Sequence, residues 1–145
     1  MTTAEHTATV ARASSKWQRR RLLLRVLWFC ALACVLAASL VPADSAAKRA
    51  MDALPVSDKA GHFAAYFLLA LLPAVTERRR PALLNAAAVA ALGFALECWQ
   101  SRFGQRSFDA GDVGANVAGV LSALATVKAQ PRLKLTRRKG GVTSC

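Results

Sequence analysis

Acidic side chains are scarce in this sequence, which has 8 Asp and Glu residues against 20 Lys and Arg residues and a formal net charge of +12. Such a basic balance favours an anionic partner, either nucleic acid or an anionic membrane surface. No aromatic side chains are interleaved among the basic residues, as stacking on nucleic-acid bases would require. We therefore expect membrane lipids as partners and no binding of nucleic acid.

Cysteine motifs are also missing, although the chain has 4 cysteines. Cys30, Cys34, Cys98 and Cys145 form no Cys-x-x-Cys pair, and their spacing fits neither a zinc site nor a disulfide framework. No glycine-rich loop of the kind that holds a phosphate is present, and no serine or cysteine lies in the usual context of a nucleophile. We expect no metal and no cofactor.

Four long apolar runs make up most of the chain. They cover about residues 22–42, 59–76, 81–99 and 109–128, and a run of about 20 residues is enough to cross a hydrocarbon core. The runs lack the alternation of a β-strand, and the first and third lack the polar face that a helix of a soluble bundle needs. The sequence therefore predicts an all-α fold, an integral membrane four-helix bundle.

Polar, basic segments flank the predicted membrane domain, residues 22–128. Residues 1–21 form a basic arm and residues 129–145 a basic tail, and their composition predicts that both are disordered. The first apolar run also has features of a cleavable signal peptide, but it is longer than the usual signal core. We therefore interpret it as a retained membrane span.

The distribution of basic residues predicts the orientation of the spans. With the N-terminus inside and four crossings, the cytoplasmic segments hold 15 of the 20 basic residues and 2 of the 8 acidic ones. Cytoplasmic loops of membrane proteins are enriched in Lys and Arg. We therefore expect a multi-pass protein of the bacterial cytoplasmic membrane with both termini, the arm and the tail, in the cytoplasm.

The remaining polar residues concentrate where the second, third and fourth runs meet the outer face. On each helix they are three or four residues apart, so they share one face. Polar groups that lie about 10–12 Å below the helix ends, at a rise of 1.5 Å per residue, are costly unless they face the bundle interior. We predict one binding site made of Asp58, Lys59, His62, Tyr66, Glu97, Gln100, Arg106, Asp109, Asp112 and Asn116.

This set of side chains suits acid–base or anion-binding chemistry. His62 beside Glu97 or Asp112 can form an acid–base pair, which makes these three the candidate catalytic residues. Lys59 and Arg106 can hold a phosphate or carboxylate. In the alternative interpretation, the polar set only holds the helices together. Neither a reaction nor an oligomeric state follows from the sequence.

Two segments resemble the signatures of the VanZ-like family, small multi-span membrane proteins named for a teicoplanin-resistance protein. Residues 57–67, SDKAGHFAAYF, are similar to its first signature of Asp-Lys followed by His, Phe and Tyr. The second signature, Glu-x-x-Gln, Arg-x-Phe-Asp, Asp and Asn-x-x-Gly, is similar to Glu97, Gln100, Arg106, Phe108, Asp109, Asp112, Asn116 and Gly119. The resemblance covers residues 55–125.

The resemblance implies a role in the cell envelope. The polar site is then expected to bind or modify an anionic lipid headgroup or a cell-wall precursor, and to affect sensitivity to glycopeptide antibiotics. A structural or assembly role in the membrane, in which the same residues only pack helices, stays open as the alternative.

Overall fold

The computed structural model describes residues 3–42, 44–53, 55–103, 107–130 and 133, and for residues 3–17, 51 and 52 it describes the backbone alone. Within these residues the chain forms five α-helices and no strand. They are α1 (Thr3–Ser39), α2 (Ala46–Asp52), α3 (Asp58–Thr76), α4 (Arg79–Phe103) and α5 (Ala110–Ala129). The predicted all-α class is confirmed.

Four helical segments are long and apolar enough to cross a membrane. They are Gln18–Ser39, Asp58–Thr76, Arg79–Phe103 and Ala110–Ala129. Large apolar side chains such as Leu23, Phe94 and Leu121 are exposed on the bundle surface, where lipid tails are as apolar as leucine itself. The chain is therefore a multi-pass membrane protein built as a four-helix bundle.

The two ends of the bundle differ in their polar side chains, and each is named here after one residue. The His62 end is formed by the span termini at Ser39, Asp58, Phe103 and Ala110. The Glu77 end is formed by the span termini at Gln18, Thr76, Arg79 and Ala129. Nearly all of the predicted site residues that the structure describes lie at the His62 end.

Some helix boundaries differ from the prediction. The arm over residues 1–21 was expected to be disordered, but α1 begins at Thr3 and its described part is helical. This stretch has no Gly or Pro and is rich in Ala and Arg, so a helix nucleated by the span continues through it. The sequence did not predict α2, and α4 runs on to Phe103. Most of the basic tail lies outside the described residues.

The bundle core lies between α3, α4 and α5. Its buried members are Tyr66, Leu69, Ala70, Ala86, Val89, Val120 and Ala123. α3 and α5 approach each other closely at Gly119, where an added Cβ would lie 2.5 Å from the carbonyl oxygen of Phe63 and 2.9 Å from the backbone nitrogen of Phe67. Small residues allow membrane helices to pack backbone against backbone in this way. This pairing brings the first turns of α3 and α5 together.

A side-chain hydrogen bond within the membrane ties α1 to α3. Nε1 of Trp28 donates to the carbonyl oxygen of Leu69 at 2.8 Å. In a regular helix that carbonyl accepts from the N–H four residues later, but this residue is Pro73, which has no N–H. The indole therefore satisfies a carbonyl that lacks its helical partner, in a region where unpaired backbone groups are costly.

We predict that Trp28→Phe lowers the free energy of unfolding by about 1–2 kcal/mol, because it leaves the Leu69 carbonyl unpaired. In a Pro73→Ala background the same change should cost much less, since the restored N–H of residue 73 then bonds that carbonyl. Unfolding of the wild type, both single variants and the double variant in detergent measures the coupling as a double-mutant cycle. Equal losses in both backgrounds would contradict the explanation.

Glu77 ties α1 to the α3–α4 connection at the Glu77 end. Its Oε2 accepts a hydrogen bond from Arg21 at 2.9 Å, and its Oε1 accepts one from Arg25 at 2.9 Å. Burial acts to raise the pKa of Glu77, but the hydrogen bond from Arg25 and the charges of both guanidinium groups outweigh burial and lower the pKa. The carboxylate is therefore ionised at neutral pH.

The lowered pKa of Glu77 predicts how stability changes with pH. Its contribution is present above the ordinary glutamate pKa of 4.5, and it is lost as the pH falls through the lower pKa of the folded state. We expect the wild type to lose more stability on acidification than Glu77→Gln, which cannot ionise. Unfolding in detergent across a pH series checks this, and parallel pH profiles for the two proteins would argue against it.

Candidate functional site

α3 and α5 begin side by side at the His62 end, each with a side chain that caps its first turn. The Ser57 hydroxyl accepts from the N–H of Ala60 at 3.2 Å, and the Asp109 carboxylate accepts from the N–H of Gly111 at 2.7 Å. Such caps fix where a helix begins, and carboxylates are stabilised there by the helix dipole. The two caps therefore set the positions of the polar residues that follow in each helix.

Lys59 of α3 bridges two carboxylates of the α5 N-terminus. Its Nζ donates to Oδ2 of Asp109 at 2.6 Å and to Oδ1 of Asp112 at 3.0 Å. The hydrogen bond from Lys59, followed by that from the Gly111 backbone, lowers the pKa of Asp109. Half of the Lys59 side chain is exposed, whereas Asp112 is buried, so this ion pair runs from the rim into the bundle.

His62 lies one turn deeper and contacts two residues of α5. Its Nδ1 is 3.1 Å from Oδ1 of Asn116, and its Nε2 is 3.6 Å from Oδ2 of Asp112. An amide oxygen only accepts, so Nδ1 is the donor in the first contact. Of the two carboxylates expected beside His62, the structure places Asp112 against the ring.

α4 contributes Glu97 and Gln100, which contact different neighbours. Oε1 of Glu97 accepts from the backbone N–H of Asp109 at 2.8 Å, and the Glu97 side chain is buried. Gln100 donates to the carbonyl oxygen of Ser39 at 2.8 Å. Glu97 therefore joins α4 to the start of α5, and Gln100 joins α4 to the end of α1.

Tyr66 and Asn116 are the deepest polar residues of the predicted site, and each is 2% exposed. Both pack against Gly93 of α4, where an added Cβ would lie 2.7 Å from the Tyr66 ring and 2.9 Å from Nδ2 of Asn116. The absence of a side chain at Gly93 therefore leaves the space that these two residues occupy.

Two open spaces meet at this end of the bundle. The carboxylate cleft has a volume of about 500 Å³ and is lined by Ser57, Asp58, Lys59, Glu97, Ser107, Asp109 and Asp112. The Tyr66 cavity has a volume of about 250 Å³, and its polar lining consists of Ser39, Lys48, Ser57, Asp58, His62, Tyr66 and Gln100. The two spaces share Ser57 and Asp58, so they adjoin there.

The structure brings most of the predicted residues together. Lys59, His62, Glu97, Asp109, Asp112 and Asn116 form one network of hydrogen bonds and ion pairs. Tyr66 and Gln100 line the adjoining cavity. Asp58, expected to share the inward face of His62, lies at the exposed rim. Arg106 lies outside the described residues.

Lys48 is a site residue that sequence reasoning missed. It lies on α2, is 8% exposed, and its Nζ is 3.7 Å from Oδ2 of Asp58. Its charge was visible in the sequence, but its position depends on α2, which follows the first span as a single short helix. A segment of seven residues is too short to show helical periodicity, so its packing on the membrane domain was not predictable from the sequence.

The site offers hydrogen-bonding and proton-transfer groups. In the part of the chain that the structure describes, no group of three or more His, Cys, Asp or Glu side chains is arranged to hold a metal ion. What is present is a half-exposed ammonium, several carboxylates, and an imidazole against a carboxylate, a pair that is able to accept and return a proton. The arrangement is suited to binding a polar group at a membrane interface.

Comparison of the chain with protein-family models, with curated proteins and with solved structures finds no match. The resemblance to the VanZ-like family therefore stays a prediction based on the two segments quoted above.

Proposed function

We propose that this chain is a VanZ-like protein of the bacterial cytoplasmic membrane that binds a polar headgroup, either of a lipid or of a lipid-linked cell-wall precursor, at the outer face. The observation that carries the proposal is the carboxylate cleft, where ionisable side chains of α3, α4 and α5 converge on an open space and those of α4 and α5 include buried carboxylates. Glu97 and Asp112 are each 5% exposed, and both line the cleft. Groups this costly to bury usually mark a functional pathway or site.

The orientation is part of the proposal. Arg78 in the connection between α3 and α4, and Arg79 and Arg80 in the first turn of α4, are all exposed at the Glu77 end. Basic loops stay in the cytoplasm, which puts the Glu77 end inside and the His62 end outside. A cleft at the outer face meets the headgroups of the outer leaflet and the precursors that are exposed there.

A structural role is the second candidate, and one observation favours it. Most polar groups in the network already have partners within the chain, because Lys59 bonds Asp109 and Asp112, and His62 bonds Asn116. Such bonds between membrane helices contribute about 0.6 kcal/mol each on average. On this interpretation the cluster fixes the rotation of α3 against α5 and binds nothing.

Substitution of one residue of the carboxylate cleft, Glu97, and one residue of the adjoining Tyr66 cavity, His62, in cells separates the two candidates. His62→Ala and Glu97→Gln are expected to abolish the effect of the protein on glycopeptide susceptibility and on envelope integrity, with normal protein abundance. Asn85→Ala, a polar change on α4 near the Glu77 end, is the matched control and should behave as the wild type. Full activity of both site variants at normal abundance would exclude headgroup binding at this cleft, and activity lost only in proportion to abundance would favour the structural role.

A further inference from the structure

The described residues that line the carboxylate cleft carry an excess of negative charge. Among the residues that the structure describes, the lining of the cleft includes the carboxylates of Asp58, Glu97, Asp109 and Asp112 and one cation, Lys59, and Asp58 also lies 3.7 Å from Nζ of Lys48. The ammonium of Lys59 already bonds two of these carboxylates, at 2.6 and 3.0 Å. An excess of one sign in a cleft with low-dielectric walls attracts a ligand group of the opposite sign. The cleft therefore suits a positively charged group.

Glu97 provides the second observation. It is 5% exposed, its Oε1 accepts from the N–H of Asp109, and its Oε2 accepts no hydrogen bond from the residues that the structure describes. A buried carboxylate is costly unless its oxygens are hydrogen-bonded or paired with a charge. Because Glu97 lines the cleft, a ligand placed there can donate to this oxygen.

Tyr66 provides a third observation in the adjoining cavity. The residue is 2% exposed and lines the cavity. Its hydroxyl makes no hydrogen bond with any described residue and is not one of the fully buried polar atoms, so it is open to a ligand in the cavity. The same cavity is lined by Lys48, which is 8% exposed and lies 3.7 Å from the carboxylate of Asp58 at the rim, and by His62. A hydroxyl, an ammonium and an imidazole together suit an oxygen-rich anionic group such as a phosphate.

The two spaces adjoin at Ser57 and Asp58, so one ligand can reach both. We propose that the site binds a zwitterionic headgroup, an aminoalkyl phosphate whose primary ammonium lies at Glu97 in the carboxylate cleft and whose phosphate lies in the Tyr66 cavity. Apolar side chains that line the same cavity are placed to contact the start of an acyl chain: Val35, Ala38, Val56 and Ala65. This inference depends on the proposed function, because it names the ligand of the same site.

Thermal unfolding of the purified full-length chain in detergent tests the ligand chemistry. Phosphatidylethanolamine, phosphatidylcholine and phosphatidylglycerol with identical acyl chains are added one at a time, and soluble phosphoethanolamine forms a further arm. A ligand that binds the folded state raises the unfolding midpoint in proportion to its occupancy. We expect the largest shift with phosphatidylethanolamine, because a quaternary ammonium has no N–H to donate and phosphatidylglycerol has no cation. A shift with phosphoethanolamine alone would place the ligand in solution and overturn the lipid assignment.

Two conservative variants test whether the shift of the unfolding midpoint comes from lipid binding at this site. Glu97→Gln keeps an acceptor for the N–H of Asp109 but removes the charge, and Tyr66→Phe removes a hydroxyl that has no partner among the described residues. Both should unfold like the wild type without lipid and should weaken phosphatidylethanolamine binding about tenfold, as for loss of one charge-assisted hydrogen bond. Asn85→Ala should keep the full shift.

The outcomes separate this inference from the proposed function. Equal shifts with phosphatidylethanolamine and phosphatidylcholine would overturn the selection of a primary ammonium. A shift with phosphatidylglycerol that disappears in Glu97→Gln would overturn the zwitterionic ligand but keep headgroup binding at the cleft. No shift with any lipid, together with wild-type behaviour of the Glu97→Gln variant in cells, would overturn both.

Discussion

Gly119→Ala is expected to lower the free energy of unfolding by about 3 kcal/mol, at the upper end of the usual cost of overpacking. The added Cβ would lie 2.5 Å from the carbonyl oxygen of Phe63 and 2.9 Å from the backbone nitrogen of Phe67. Both are backbone atoms of α3, which no change of side-chain rotamer can move. The clash is relieved only when the backbones of α3 and α5 move apart.

Separation of these helices would also disturb the site. Asn116 lies one turn before Gly119 on α5, and its amide oxygen is 3.1 Å from Nδ1 of His62. A shift of several tenths of an ångström takes this contact beyond good hydrogen-bond length. We therefore expect Gly119→Ala to lose the ligand-dependent stabilisation together with part of the fold.

Gly114→Ala on the same helix is the matched control. An added Cβ at Gly114 meets nothing within 4 Å, and alanine is favoured over glycine in a helix interior by about 1 kcal/mol. Unfolding in detergent should show a loss for Gly119→Ala and a small gain or no change for Gly114→Ala. Similar effects at the two positions would mean that α3 and α5 are not in backbone contact at Gly119.

Asp112→Ala should be the next most destabilising change, with a loss of about 2–3 kcal/mol. Asp112 is 5% exposed, accepts from Lys59 at 3.0 Å and lies 3.6 Å from Nε2 of His62. Its removal takes one partner from Lys59, which keeps Asp109, and one from His62, which keeps Asn116. Hydrogen bonds to charged groups contribute about 1.5–3 kcal/mol. Asp112→Asn keeps an acceptor for Lys59 and should lose less.

The exposed Asp44, in the connection after α1, provides the control for loss of a carboxylate. Asp44→Ala changes the net charge by the same amount but lies outside the network, so its stability should stay within about 0.5 kcal/mol of the wild type. Unfolding under one set of detergent conditions ranks the free energies of unfolding of four proteins: the wild type, Asp112→Ala, Asp112→Asn and Asp44→Ala. If Asp112→Ala and Asp44→Ala were equally stable, the ion pair with Lys59 would contribute nothing measurable.

The number of spans was predictable because it depends on a one-dimensional property of the chain. A run of about 20 apolar residues must cross a membrane as a helix, whatever its neighbours are. The start of α1 was not predictable in the same way, because the arm has a polar composition and becomes helical only as the continuation of the span. The seven residues of α2, Ala46–Asp52, are too few to show a period.

Convergence of the polar side chains was predictable for an energetic reason. Ionisable groups within the membrane must face the interior, so His62, Asp112 and Asn116 had to point toward one another once the spans were assigned. Their individual partners depend on the rotation of each helix and its depth in the membrane, and a hydropathy pattern specifies neither. The sequence therefore left Glu97 and Asp112 equally eligible as the neighbour of His62.

The contacts between α1 and the rest of the bundle were missed altogether. The charges of Arg21 and Arg25 led to the prediction that they lie on the cytoplasmic side, but the sequence did not identify Glu77 as their partner, 52 residues after Arg25 in the chain. The sequence did contain one indication of the contact made by Trp28. Pro73 lies inside a predicted span and leaves the carbonyl of Leu69 without its helical donor. An indole on a neighbouring helix is one of few groups able to supply that donor at such depth.

We predict that the polar cluster lines an open cleft at the outer membrane face. Ser107 lines the carboxylate cleft and is exposed. A Ser107→Cys variant without the four native cysteines therefore reports both whether the cleft is open and on which side of the membrane it lies. In intact cells it should react with a membrane-impermeant maleimide, whereas a chain that retains only Cys145 should react only after permeabilisation. Reaction of Ser107→Cys only after permeabilisation would place the cleft on the cytoplasmic side and rule out a site at the outer face.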